Sequence, residues 1–151
     1  MEKNLGAARQ FITEPIRRGL LLEEEVLKEV GELRKLKTQR CELLLDKHFP
    51  LFGASPDGLK DELCIEVKCP YSEKTVKNYI SDGTVNQKYL AQMQLQMLFS
   101  KRTRGLLCVA ALNFEQSRDL QIKEVTFDEN FCFNLMGAAQ SFWNAAIFPK
   151  L

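Results

Sequence analysis

Leu63-Cys64-Ile65-Glu66-Val67-Lys68-Cys69, closed by Pro70, is the stretch from which the rest of the chain is read. Leu63, Ile65, Val67 and Cys69 alternate with Cys64, Glu66 and Lys68, the period-two pattern of a β-strand. Pro70 has no N–H to give to a ladder and ends it. Upstream, Ala54-Ser55-Pro56-Asp57-Gly58 is punctuated by proline and glycine, and only the short polar stretch Gly58 to Glu62 separates Asp57 from the strand. That spacing predicts a hairpin that returns Asp57 to the side of Glu66.

Helical periodicity flanks this unit. From about Leu21 to Lys37, Leu22, Val26, Val30 and Leu33 recur at helical spacing, and Glu23, Glu24 and Glu25 are expected to open the helix at the positive end of its dipole. At about 100° per residue, Glu23 falls in the apolar sector with Leu27 and Val30, whereas Glu24 and Glu25 point away. Leu43 to Phe52 is a strand candidate interrupted by Pro50, and Tyr71 to Gln87 a polar excursion with a turn at Ser81-Asp82-Gly83. A second helix over Lys88 to Lys101 carries Leu90, Met93 and Met97 on one side and Lys88, Tyr89, Gln92 and Gln96 on another. Leu106 to Leu112 reads as a buried strand and Asp119 to Phe127 as a more exposed one. The last helix, capped by Asp128, is expected to bury Phe131, Leu135, Ala138 and Phe142. The order predicts an α/β chain with a central mixed β-sheet flanked by helices, a single domain over residues 1–151.

Composition narrows the function classes. With 151 residues, 45% hydrophobic and 27% charged, the chain can bury a core and is neither collagen-like nor a coiled coil. The longest apolar run is strand-sized, so no membrane partner is expected. No apolar signal-type stretch precedes Arg9, which leads to the expectation of an intracellular protein. Twenty-one basic residues face 20 acidic ones, a net charge of +1, so a polyanion would be held by local patches. Arg17-Arg18 and the cluster Lys101, Arg102 and Arg104 are such patches, though basic side chains also gather at helix C-termini. Five cysteines without CxxC spacing argue for reduced thiols, and the single histidine, His48, argues against a histidine-based triad.

Asp57 and Glu66 are two carboxylates that the hairpin sets side by side. With the Val67 carbonyl between Glu66 and Lys68, they offer the oxygen donors a hard divalent cation takes. Lys68, projecting beside Glu66 on the exposed side of the strand, would face the attacking water at a phosphodiester. Alternating charges on a half-solvated strand also arise simply as a wet face, and Asp57-Gly58 as a turn.

Phe52-Gly53-Ala54-Ser55-Pro56-Asp57-Gly58-Leu59 followed by Ile65-Glu66-Val67-Lys68-Cys69-Pro70 resembles the core of the PD-(D/E)xK nuclease superfamily, with its restriction-endonuclease-like fold. More narrowly, it resembles the YqaJ-type viral recombinases, relatives of the bacteriophage lambda exonuclease. Gly19 with Glu23 is similar to the family's glycine-x-x-x-glutamate helix, Tyr89 to Met97 to its glutamine motif, and Phe142-Trp143 to its closing helix, so the resemblance spans about residues 17–149. It implies a metal-dependent deoxyribonuclease in which Asp57, Glu66, Glu23 and the Val67 carbonyl hold Mg²⁺, with Mn²⁺ as a substitute. Lys68 would position or activate the water, Gln92 would reach the same centre, and Ser55, Lys88, Arg17 and Arg18 would contact phosphate. The implied partner is DNA, double-stranded with free ends, in recombination by viruses or mobile elements, with a single-strand annealing protein as companion and a homo-oligomer as assembly. The family also carries an arginine and a small hydroxyl residue that help seize the DNA end, and Arg9, Thr13, Arg17 and Arg18 have no fixed match to them. A nuclease cutting single strands or internal sites, and a catalytically silent DNA-binding or adaptor domain, are the alternatives; the intact Asp57, Glu66 and Lys68 argue against the silent one.

Overall fold

The computed structural model describes residues 13–147. In chain order the elements are α1 (Glu14–Arg34), β1 (Leu44–Leu45), β2 (Gly53–Ala54), β3 (Gly58–Lys60), β4 (Leu63–Lys68), α2 (Glu73–Tyr79), β5 (Ile80–Ser81), β6 (Thr84–Val85), α3 (Gln87–Ser100), β7 (Arg104–Ala110), α4 (Phe114–Ser117), β8 (Leu120–Thr126) and α5 (Glu129–Phe142). A π-helical turn over Trp143–Ile147 continues α5.

The central sheet runs β3-β4-β7-β8. β4 and β7 are parallel and the outer pairs antiparallel, so the sheet is mixed, as the alternation of strands and helices predicts. β7 is the strand buried on both faces, and its apolar run Leu106–Ala110 has no exposed member. On one face, Leu22, Val26, Leu27 and Val30 of α1 pack against Ile65, Val67, Leu106 and Cys108. On the other, Met93 and Met97 of α3 pack against Cys64, Leu107 and Val109.

The approach of α3 is close because β7 carries Gly105 beneath it. A Cβ there would lie 2.8 Å from Met93 Cε and 3.3 Å from Met97 Sδ. Gly105→Val is expected to cost about 1–3 kcal/mol through overpacking. Urea unfolding checks this, and an unchanged midpoint would refute the close approach.

Three expectations are corrected. First, α1 starts at Glu14 rather than Leu21, with Pro15 pre-setting the first turn and Glu14 meeting the dipole. Ile16, Leu20 and Leu21 are exposed, so this part has no apolar stripe to betray it. Glu23 to Glu25 therefore sit mid-helix, away from the dipole end, and Leu33 is exposed. Second, Leu43 to Phe52 yields only the two residues of β1, paired with β2. Third, Asp128 does cap α5, accepting the Phe131 N–H at 2.9 Å, but the buried residues are Cys132 and Met136. Phe142 is 64% exposed, because the face of α5 toward the core is set by the two sulfur side chains rather than by the aromatic ones. All five cysteines are free thiols.

Candidate active site at the end of β4

β3 pairs with β4 only as far as Gly58 opposite Ile65, so the last three residues of β4 outrun it. On that side the Asp57 carboxylate replaces the missing strand: Asp57 N–H donates to the Ile65 carbonyl at 3.0 Å, and Asp57 Oδ2 accepts the Val67 N–H at 2.7 Å. The N–H and C=O of one strand residue point to the same edge, so the Val67 carbonyl faces this opening beside Asp57.

Glu66 points the other way, under α3, and is 4% exposed. This corrects the expected wet face: α3 covers it, and Glu66 is a buried acid rather than a solvated one. A carboxylate is tolerated there only with partners. Oε1 accepts from Lys68 Nζ at 2.5 Å and Gln92 Nε2 at 2.8 Å, and Oε2 accepts from Gln96 Nε2 at 2.7 Å. Gln92 therefore reaches the acid, and Gln96, one helical turn later on the same stripe, does so as well. The i, i+4 spacing was the signal for Gln96.

Glu23 projects from α1 half-buried, while Glu24 and Glu25 are exposed, in agreement with the helical-face argument. Its charge acts on Asp57. Burial, then the Glu66 charge, then Glu23 push the Asp57 carboxyl up to about 7, against the opposing hydrogen bond from Val67. Lys68 feels the converse. Burial pulls its ammonium down, but the charge and hydrogen bond of Glu66 and the charge of Asp57 outweigh that and hold it above its ordinary value. Lys68 Nζ also stands 5.4 Å from the centre of the Tyr89 ring, whose edge meets Tyr79.

The remaining candidates divide. Ser55 is exposed in the loop before Asp57, and its carbonyl faces Gln96 Nε2 at 3.4 Å. Lys88 is exposed at the start of α3, 5.6 Å from the Tyr89 ring centre. Arg17 is exposed and lies 3.9 Å from Glu14. Arg18 corrects the expected pairing with Arg17: its guanidinium donates to the carbonyls of Pro70, Ala111 and Leu112, tying α1 to the ends of β4 and β7. Arg104 is likewise held by Glu124 at 2.6 Å and Glu62 at 3.4 Å. His48 is exposed and bonded to Asp46 at 2.8 Å. Arg9 lies outside the described residues.

The profile of the YqaJ-like viral recombinase domain matches residues 2–103, well over half of the 151. The chain belongs to that family. Its fold agrees with solved exonucleases that share less than a quarter of its residues. The alkaline exonuclease LHK-Exo of Laribacter hongkongensis superposes with a TM-score of 0.77 at 23% identity, covering 88% of this chain and 69% of that one. Its complex with dAMP gives 0.78 at 22%, covering 87% and 68%. A phage-related exonuclease of Haemophilus somnus 129PT gives 0.69 at 19%, covering 91% and 74%. No curated protein sequence gives a match. In this YqaJ-like domain no described helix is long and apolar enough to cross a membrane.

Proposed function

We propose that this YqaJ-like domain is a metal-dependent deoxyribonuclease, acting exonucleolytically on linear double-stranded DNA. The observation that carries the reading is the proximity of Asp57, Glu66 and Lys68 at the end of β4, with the charge of Glu23 on α1 also acting on Asp57. That the fold is shared with exonucleases, one of them solved with a deoxynucleoside monophosphate, supports it.

Among the described residues no three His, Cys, Asp or Glu side chains converge into a ready-made cage. This suits Mg²⁺, which is held by one or two carboxylates together with waters and substrate phosphates. The donor chemistry fits: Asp57, Glu66 and the Val67 carbonyl present oxygen, and the crowding of Asp57 with Glu66 and Glu23 gathers more negative charge than the one ammonium of Lys68 offsets. When bound, Mg²⁺ or Mn²⁺ supplies Lewis-acid polarisation of the phosphodiester and a more acidic water. Lys68, at the same end of β4, would orient the attacking water and stabilise charge growing on the phosphate. Gln92 holds Glu66 and can turn toward the water. Ser55, Lys88 and Arg17 are exposed for phosphate contact, whereas the ties of Arg18 to backbone carbonyls make it a positioning residue for α1.

The test is cleavage with Mg²⁺ of linear duplex beside closed circular DNA. Degradation of the linear form from its ends with circles intact is expected. Nicked circles would assign internal cutting, and no cleavage with either Mg²⁺ or Mn²⁺ would favour a binding domain. Glu23→Gln is expected to lower turnover about tenfold. Glu24→Gln, at an exposed residue that pairs with exposed Arg40 at 3.5 Å, should leave turnover unchanged. Equal effects would undo the assignment of Glu23.

A further inference from the structure

Gln96 is, with Gln94, one of two amides buried on α3. It is 1% exposed near the core residues Met93 and Met97, where a leucine would fill the space without a polar group. Its Nε2 donates to Glu66 Oε2 at 2.7 Å and, more weakly, toward the Ser55 carbonyl at 3.4 Å. Its Oε1 is buried without a partner. The amide cannot turn over to relieve this, because Oε1 would then stand against two acceptors, a carboxylate and a carbonyl. An orphaned buried carbonyl is unfavourable, so the arrangement persists through what Nε2 does.

What Nε2 does is join two separate segments. Glu66 belongs to β4, and Ser55 to the loop that delivers Asp57 two residues later. Gln92 and Lys68 both contact Oε1, leaving Gln96 as the donor on Oε2 among the described residues. We propose that Gln96 is a positioning residue for the metal carboxylates: it fixes the rotation of the Glu66 carboxylate and its offset from the Asp57 loop. Gln96 touches neither substrate nor cation, and its effect passes through Glu66. The inference rests on the nuclease reading and adds to it the part played by this residue.

The experiment is calorimetric Mn²⁺ binding to the full chain without DNA, together with the Mn²⁺ half-saturation of linear-duplex cleavage. The proteins are the parent, Gln96→Leu and Gln94→Leu. Gln94 controls for loss of a buried amide: it is 3% exposed and bridges the Thr126 carbonyl and the Asp128 N–H at 2.8 Å each, away from Glu66. Gln96→Leu is expected to weaken Mn²⁺ binding and raise the half-saturation by about 10–100-fold, the usual effect of losing an outer partner of a ligand. Gln94→Leu is expected to lower the melting temperature while leaving both metal readouts at the parent values. Equal Mn²⁺ affinity in parent and Gln96→Leu, with the parent active, would overturn the inference alone. A parent that neither binds Mn²⁺ nor cleaves would overturn the nuclease reading and the inference together. Should Gln96→Leu fail to fold, Gln96→Met is measured under the same criteria.

Discussion

Lys68→Ala is expected to lower cleavage by about 10²–10⁴-fold, the range for a residue that orients or activates the attacking group, while Mn²⁺ binding becomes at least as tight as in the parent. The two effects run in opposite directions for one reason. The Lys68 ammonium lies 2.5 Å from Glu66 Oε1 and competes with any cation for that oxygen. Under the proposed mechanism, removing it would free Glu66 Oε1 for the cation and take away positive charge that would act on the phosphate and the water. Glu66 keeps its bonds to Gln92 and Gln96, so the fold is expected to persist. Duplex cleavage and Mn²⁺ calorimetry on the same preparation check both halves. Loss of metal binding in this variant would make Lys68 a structural partner only, and retained cleavage would remove it from the mechanism.

The central hairpin was legible because it is local: a period-two strand, a proline stop and a polar turn are enough to bring Asp57 opposite Glu66, and β3 and β4 form that way. The ends of α1 and the buried face of α5 were not, for different reasons. The first turns of α1 expose Ile16, Leu20 and Leu21, so no burial periodicity marks them. In α5 aromatic bulk outweighs Cys132 and Met136 on any hydropathy reading, yet which face is buried depends on where α3 lies, a tertiary fact.

The site divides in the same way. The half-buried position of Glu23 was legible from angle alone, since its separation from Glu24 is a property of the helix. The burial of Glu66 was hidden, because alternation says which residues share a face and not what covers it. Gln96 stood on the same helical stripe as Gln92, but its contact depends on the distance between α3 and β4, which Gly105 helps to set. Arg18 misled for the opposite reason. An arginine beside another reads as a basic patch, while its partners are backbone carbonyls more than fifty residues away in sequence.

Asp57→Asn is expected to abolish Mg²⁺-dependent cleavage and at the same time to make the metal-free protein more stable at pH 8. The folded carboxyl is raised to about 7, by burial first and by Glu66 and Glu23 after it, whereas in an unfolded chain it titrates near about 3.9. Between those values the folded form keeps a proton that the unfolded chain has released, so stability falls as pH rises from about 4 to about 7 and stays low above. Asparagine is uncharged throughout and its Oδ1 can still accept the Val67 N–H, so the variant escapes that loss. At pH 8 its melting temperature is expected to exceed that of the metal-free parent by several degrees, about 2–4 °C for each kcal/mol in a chain of this size. Below about pH 4, where the parent carboxyl is neutral in both states, the gap should close. Saturating Mn²⁺ should close it from the other side, by binding the parent and not the variant. Melting curves from about pH 3 to about pH 8 with and without Mn²⁺ measure all of this. Coincident pH profiles would refute the crowding of charge around Asp57, and a variant that cleaves like its parent would refute its role as a ligand. A domain that only binds DNA would gain stability from this one-residue change at no loss of function, so a gain in stability together with a loss of cleavage would argue for chemistry that needs the charge at position 57.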